Sequence, residues 1–401
     1  MDVVRRIRDF NAGRDPERLA MKYSNMRASP FVFLRGTCHL FYDRLPRGGL
    51  FRSAPLGWVC GDLHLENFGS FKGDNRLVYF DINDFDESAL APVSWDLVRL
   101  LASVWVGADS LSLSGSEAHR LCDDFIAAYA ASLAGGKAYW VERDTAKGLV
   151  GELLDGLRGR QRSEYLDSRT VTEGKHRRLR VEDRKKALPA TKKQRAKVED
   201  FMARFARNQP DPSFYEVRDV ARRIAGTGSL GVERYVILVE GKGSPDGNYL
   251  LDLKRSTPSS LVPHLRVAQP AWVSEAHRTV ALQRRLQAVS MAFLQPVRLG
   301  KTAFVLRGLQ PAEDRVELDR SRQSMPELQN VLELMGKIVA WSQLRSAGRE
   351  GSANADALVA FGERRKWREP LLEASRDCAT QVRKDWRSYC EAFDDKAFEL
   401  G

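Results

Sequence analysis

Two apolar runs between Trp58 and Asp96 end in clusters of acidic and amide side chains, and no other feature constrains the chain as much. Val59-Cys60 leads into Gly61-Asp62-Leu63-His64-Leu65-Glu66-Asn67, and Leu77-Val78-Tyr79-Phe80 leads into Asp81-Ile82-Asn83-Asp84-Phe85-Asp86. Short β-prone runs bounded by turn residues read as strands, so the polar groups are expected where two neighbouring strands end. Ionised carboxylates are costly to gather without a counter-charge. Mg²⁺ supplies one, because it takes oxygen ligands from one or two carboxylates together with substrate phosphates. Taken singly, Asp62, Asn67 and Asp84 also suit turns and caps. As a set on two adjacent strand ends they favour the metal.

The spacing points further. Asp62 and Asn67 are five apart, the interval between catalytic Asp and metal-binding Asn in the protein-kinase loop H-R-D-x-x-x-x-N. Asp84-Phe85-Asp86 stands where such enzymes carry the second metal Asp. Gly61-Asp62-Leu63-His64 with Asn67 resembles the loop of aminoglycoside and choline phosphotransferases more than that of protein kinases. His64 is expected to orient the loop and not to ligate metal. Asp96, opening the apolar run Leu97 to Val106, is expected to hold the loop backbone. Glu66 and Glu87 read as solvent-facing or local hydrogen-bonders. Arg35, in an apolar setting, reads either as a phosphate or substrate contact or as a structural arginine paired to a loop carboxylate.

Several stretches together resemble the bacterial family called domain of unknown function 2252. They are Lys22-Tyr23-Ser24-Asn25-Met26-Arg27, Phe33-Leu34-Arg35-Gly36, Cys60-Gly61-Asp62-Leu63-His64-Leu65-Glu66-Asn67-Phe68-Gly69, Asn83-Asp84-Phe85-Asp86-Glu87 and Trp95-Asp96-Leu97-Val98-Arg99-Leu100. The resemblance runs over most of the chain and implies a distant kinship with protein-kinase-like phosphotransferases. The chemistry has to be argued from the residues.

A second informative stretch begins near Val217. Gly226, Gly228 and Gly231 form G-x-G-x-x-G, with Ser229 inside it. A dinucleotide fingerprint leads into a helix, whereas here the strand-like Tyr235-Val236-Ile237-Leu238-Val239 follows. A turn at Asp246-Gly247 and a strand from Tyr249 to Leu253 lead to Lys254. Glycine loop, hairpin, strand, lysine is the order of a kinase small lobe, where the loop covers phosphates and the lysine pairs with them. Ser274 to Ser290 reads as the helix whose acid would hold that lysine. Glu275 is the candidate, with a first-turn dipole role as its alternative, and Gln283 is the substitute. Strands at Phe293 to Val297 and Thr302 to Leu309 would complete a five-stranded sheet, with Arg307 to Pro311 where an adenine would meet the backbone.

The order is reversed relative to ordinary kinase-like enzymes, because the glycine loop follows the Asp/Asn loop. The expected fold is therefore α+β, a circularly permuted kinase-like two-lobe architecture with a small antiparallel β lobe and a larger helical lobe. Permutation is physically acceptable where termini lie close. Residues 1–57 read as helical, opened in part by Asp15-Pro16. Residues 58–215 read as the large lobe with a basic extension at 169–197, residues 216–312 as the small lobe, and residues 313–401 as further helices of the large lobe. Ser94 and Ser114 or Ser116 are expected caps, and Trp367 and Trp386 expected packing anchors. The basic extension has interleaved acids and no aromatic spacing for base stacking, so it reads as a solvated charged hairpin or helix.

These readings give ATP and Mg²⁺ as expected ligands. Asn67 and Asp84 would hold the metal, Gly226, Gly228, Ser229 and Gly231 would cover the phosphates, and Lys254 would neutralise charge. Asp62 would accept the proton of an unidentified hydroxyl-bearing substrate. A net charge of +11 suits an anionic ligand. Five cysteines without zinc spacing argue against a disulfide framework. The start M-D-V-V-R-R-I-R-D-F lacks a signal-peptide core and no stretch is long and apolar enough for a bilayer, so the expected location is cytoplasmic, without membrane. Alternatives are a non-catalytic nucleotide-binding module, a metallophosphoesterase (for which the six histidines lack the usual clusters) and, least favoured, a nucleic-acid-binding protein.

Overall fold

Five short helices open the chain: α1 (Val3–Asn11), α2 (Pro16–Ala28), α3 (Pro30–Gly36), α4 (Cys38–Arg44) and the single turn α5 (Leu50–Ser53). The structure, a computed structural model, describes residues 2–309 and 314–399. Asp15 caps α2 by accepting from Arg18 N, with Pro16 at the first helical position. The apolar stripe from Phe31 to Leu45 is broken between α3 and α4 at Thr37, whose hydroxyl donates back to Phe33 O at 2.6 Å.

Four short strands follow: β1 (Leu56–Val59), β2 (Phe68–Lys72), β3 (Val78–Ile82) and β4 (Ala89–Pro92). They pair antiparallel, β1 with β4 and β2 with β3. This arrangement sets the segments 60–67 and 83–88 side by side, joined where Asn83 N donates to Asn67 O at 3.0 Å. Helix α6 (Ser94–Gly107) is mostly apolar and almost wholly buried, with Asp96 and Arg99 as its buried charges. Ser94 does not cap it; its hydroxyl donates to Leu50 O. Ser114 does cap α7 (Gly115–Ala134), in a capping box with Glu117.

Next come α8 (Gly148–Gly156), α9 (Arg162–Asp167), the hairpin β5 (Thr170–Glu173) and β6 (His176–Leu179), β7 (Ala187–Pro189) and α10 (Lys192–Ala206). Then follow β8 (Val217–Arg223), β9 (Arg234–Val239), β10 (Tyr249–Arg255), α11 (Glu275–Leu286), β11 (Gln295–Leu299) and β12 (Thr302–Gly308). The chain closes with α12 (Met325–Ser346), α13 (Ala355–Glu363) and α14 (Arg368–Asp394). These last helices return to the larger body, α12 and α13 against α7 and α14 against α6. Trp367 stacks on Phe361 at 4.7 Å, and Trp386 Nε1 donates to Met26 O.

The fold is α+β. Its main sheet is antiparallel in the order β11-β12-β10-β9-β8-β7. It has six strands and not the expected five, because Ala187 to Pro189 pair with Ala221 to Arg223 at the β8 edge. Helix α10 also differs from expectation. Residues 192–206, read as part of the large lobe, lay Val198, Phe201 and Met202 onto the sheet among Val220, Tyr235, Ile237, Leu253 and Phe304. Dense lysines and arginines around that stripe obscured it in the sequence. Within the basic extension, Arg177 is buried and spends its guanidinium on Asp167 and Asp246. Among the described residues no helix is long and apolar enough to cross a membrane.

The packing of α10 gives a direct test. Met202 is fully buried, so Met202→Ala should lower stability by about 2–5 kcal/mol. Lys193→Ala, at an exposed position of the same helix, should stay within about 0.5 kcal/mol of the parent. Denaturant midpoints of the two variants check this.

Candidate functional site

The loop after β1 is fixed from beneath by α6. Asp96, in the first turn of that helix, accepts from Cys60 N at 2.8 Å and from Gly61 N at 2.9 Å. Gly61 sits at φ +84°, and a Cβ there would lie 2.3 Å from Glu87 O, so only glycine lets the two loops approach this closely. Arg99, three residues along α6 from Asp96 and fully buried, donates through Nε to Asp62 Oδ1 at 2.8 Å and through Nη2 to Leu34 O. Burial pushes the Asp62 carboxyl up, while Arg99 pulls it down. Asn67 Nδ2 donates to Asp62 O at 2.9 Å, which closes the turn.

His64 accepts from Glu66 N, and burial together with Arg35, Arg99 and Arg315 holds its imidazole neutral. It orients the loop. Arg35 pairs with Glu66, which also binds Arg315, so the structural reading of Arg35 holds, with the loop glutamate as the partner and not a loop aspartate. Glu87 is not a surface group: its carboxylate accepts from Ser260 N and Oγ across the fold.

The glycine-rich segment forms a tight turn between β8 and β9. Gly226 and Gly231 have φ of +70° and +84°. A Cβ on Gly228 would lie 3.0 Å from Arg35 O and 3.9 Å from Asp62 Oδ2, so this turn rests directly over the Asp62 loop. Helices α1 and α2 hold it there: Arg14 Nη1, in the link between them, donates to Gly228 O and Leu230 O, and Lys22 Nζ donates to Gly228 O. Ser229 Oγ turns back onto Ala225 O.

Lys254, near the end of β10, is buried and paired with Asp86. The structure thus brings Asp62, Asn67, Asp84, Gly226, Gly228, Ser229 and Lys254 to one cleft of about 1160 Å³, open mouth included, whereas Gly231 does not line it and packs on Arg14 and Asp15. Burial favours the protonated form of Asp84, but Lys254, Arg307 and Arg234 outweigh it and hold the carboxyl below its ordinary value.

Glu275 is not brought to Lys254. Its carboxylate takes Arg278 Nε at 2.7 Å, one turn along α11, and the lysine has Asp86 instead. Gln283 bonds Gln287. The role expected of an acid on α11 falls to Asp86, and α11 contributes a cation instead: Arg278 reaches Asp86 O, Ser88 O and Thr257 O. It thereby ties α11 to the acidic loop through carbonyls, which sequence spacing does not reveal.

Sequence reasoning also missed the charges on the sheet wall. Asp252, fully buried on β10, is paired with Arg223, Arg234 and Arg307. The signal was present, since an aspartate inside Leu250-Leu251-Asp252-Leu253 must find a cation. Despite full burial, those three arginines hold its carboxyl well below the usual range.

Burial raises the Asp96 carboxyl from 3.8 to about 6, against its two backbone hydrogen bonds. As pH rises between those values, the unfolded chain releases this proton before the folded one, so folded-state stability falls across that window. The change amounts to about 3 kcal/mol. Asp96→Asn should lack this slope, which unfolding midpoints of parent and variant at about pH 4 and about pH 7 would check.

Comparison with curated proteins and with solved structures finds no match to this chain. A family model described as "Uncharacterized protein conserved in bacteria (DUF2252)" matches residues 14–392, and the chain belongs to that family.

Proposed function

We propose that this protein is a Mg²⁺-dependent phosphotransferase of kinase-like type, with a circularly permuted two-lobe arrangement, acting from ATP onto a hydroxyl acceptor. One observation carries the reading. The glycine turn and Lys254 line the same cleft as Asp62, Asn67 and Asp84, although about 160 residues separate the two sets along the chain. The succession of glycine turn, antiparallel strands and lysine on β8, β9 and β10 supports a kinase-like small lobe. The β1–β4 and β2–β3 pairs framing the Asp62 and Asp84 loops support the other half.

Each residue has a physical task in this reading. Asp62, oriented by Arg99, has a carboxyl raised by burial, which brings it closer to the range of a working base. It would take the proton of the acceptor hydroxyl as that oxygen bonds to the terminal phosphorus and the bridging P–O bond breaks. Lys254 would exchange Asp86 for phosphate oxygens. The glycine turn would cover the phosphates and exclude water.

The oxygen donors suit Mg²⁺. Asp84 is ionised and accepts only from Asp86 N among the described residues. Asn67, donating to Asp62 O, keeps its Oδ1 without a hydrogen bond among them. No group of three or more His, Cys, Asp or Glu suited to a metal occurs among the described residues. With oxygens not spent on other donors, Asp84 and Asn67 would suit a cation that completes its shell with phosphates and water. When bound, it would neutralise phosphate charge.

A second reading, nucleotide binding without turnover, is favoured by the Lys254–Asp86 pair and by Glu275 facing Arg278. ATP binding without release of ADP would select it.

ATP with Mg²⁺ should raise the melting temperature, by mass action. Asp84→Ala should abolish Mg²⁺-dependent ADP release while circular dichroism shows the fold intact; unchanged turnover in that variant refutes the assignment. Asp62→Asn should lower kcat by about 10²–10⁴-fold, with the nucleotide Kd within about threefold of the parent.

A further inference from the structure

Among the described residues, the walls of the cleft carry many cations and few apolar side chains on which a nucleobase could stack. The apolar lining side chains among them are Phe10, Cys38, Ala225 and Val232. Phe10, the aromatic ring among them, already stacks on His39 at 3.8 Å and 9°, and the Arg14 guanidinium lies 5.2 Å from its centroid. A base needs flat apolar or aromatic surface against its faces, and Phe10's is taken.

At the strand end where an adenine was expected, between Arg307 and Pro311, Arg307 directs its guanidinium onto Asp252. Gln310 and Pro311 lie outside the described residues. Arg234 binds that same carboxylate through two nitrogens, and Arg223 reaches it as well. One carboxylate on β10 thus serves Arg234 and Arg307 together, so Asp252 does not neutralise these two guanidiniums one for one. Buried charge that is not fully balanced is costly. Asp84 offsets part of the field of Arg307 and Arg234 through space, but in the proposed reaction it is committed to the metal. A bound anion would restore the balance.

The glycine turn adds neutral donors. The main-chain N–H groups of Gly226, Thr227 and Gly228 donate to no described residue. Successive free N–H groups in such a turn suit an anion.

We propose that the cleft recognises its phosphoryl donor by the phosphate chain alone, so that the donor class is a magnesium-bound triphosphate whether or not it carries a nucleoside. The inference rests on the phosphotransferase reading and narrows it. The phosphate chain runs from the Asp84 and Lys254 end towards Arg307 and Arg234, and any nucleoside extends out of the mouth.

Titration calorimetry on the full chain with Mg²⁺ tests this, using ATP, GTP and inorganic triphosphate as probes. The expected result is a Kd for inorganic triphosphate within about tenfold of that for ATP, and GTP equal to ATP within about threefold. A preference for ATP beyond those limits overturns the inference and leaves the phosphotransferase reading standing. Absence of Mg²⁺-dependent binding by all three probes ends both. Arg307→Gln, checked for folding by circular dichroism, should weaken ATP and inorganic triphosphate by the same factor, about tenfold. A loss confined to ATP overturns the inference. The parent-protein comparison decides the matter if that variant does not fold.

Discussion

The pairing of Lys254 with Asp86 joins the two sides of the cleft. The lysine belongs to the six-stranded sheet and the aspartate to the loop after β3, and Arg222 on β8 links the same sheet to the first helices through Asp15 and Glu17. Around it lie neutral and charge-assisted supports. Arg278 binds carbonyls on both sides, Glu87 accepts from Ser260, and Arg14 and Lys22 hold the glycine turn by its carbonyls. Charge-assisted bonds in a poorly solvated site are stronger than exposed ones, so these contacts are the strong ones joining the two sides of the cleft.

Buried charge is handled differently on the two sides. Beneath the Asp62 loop, carboxylates and cations match closely: Arg99 takes Asp62, Asp96 takes two backbone N–H groups, and Glu66 bridges Arg35 and Arg315. These bonds set a geometry and leave little charge over. On the sheet side Asp252 serves three arginines, and the positive field of Arg234 and Arg307 extends into the cleft as far as Asp84. Such a field raises the local concentration of anions and speeds their arrival. The contrast gives the cleft a rigid polar floor and an electropositive wall.

Much of the secondary structure was legible locally. Asp15-Pro16 and Ser114 announced helix starts, and the apolar runs ending at Val59 and Ile82 announced strands. Where local reading failed, a longer-range contact had intervened. Ser94 looked like a cap, but Leu50 O was close enough to take its hydroxyl. The stripe of α10 was hidden among basic residues, two of which the sheet side accommodates by pairing: Arg195 with Asp219 and Lys197 with Glu233. Ala187 to Pro189 is too short to read as a strand until the β8 edge supplies its partner.

Which residues were available for chemistry could be read along the chain: the acid and amide set at two strand ends, the glycine turn, the lysine closing an apolar strand. Spacing and turn chemistry are local, so they survive without knowledge of the fold. The partners of these residues were set by the folded arrangement. Lys254 meets Asp86 and not Glu275, Arg278 satisfies carbonyls where an acid was expected, and Asp252 gathers three arginines drawn from three other strands. Partner choice among buried charges depends on distance and desolvation in three dimensions, and neither is written in the spacing of residues along the chain.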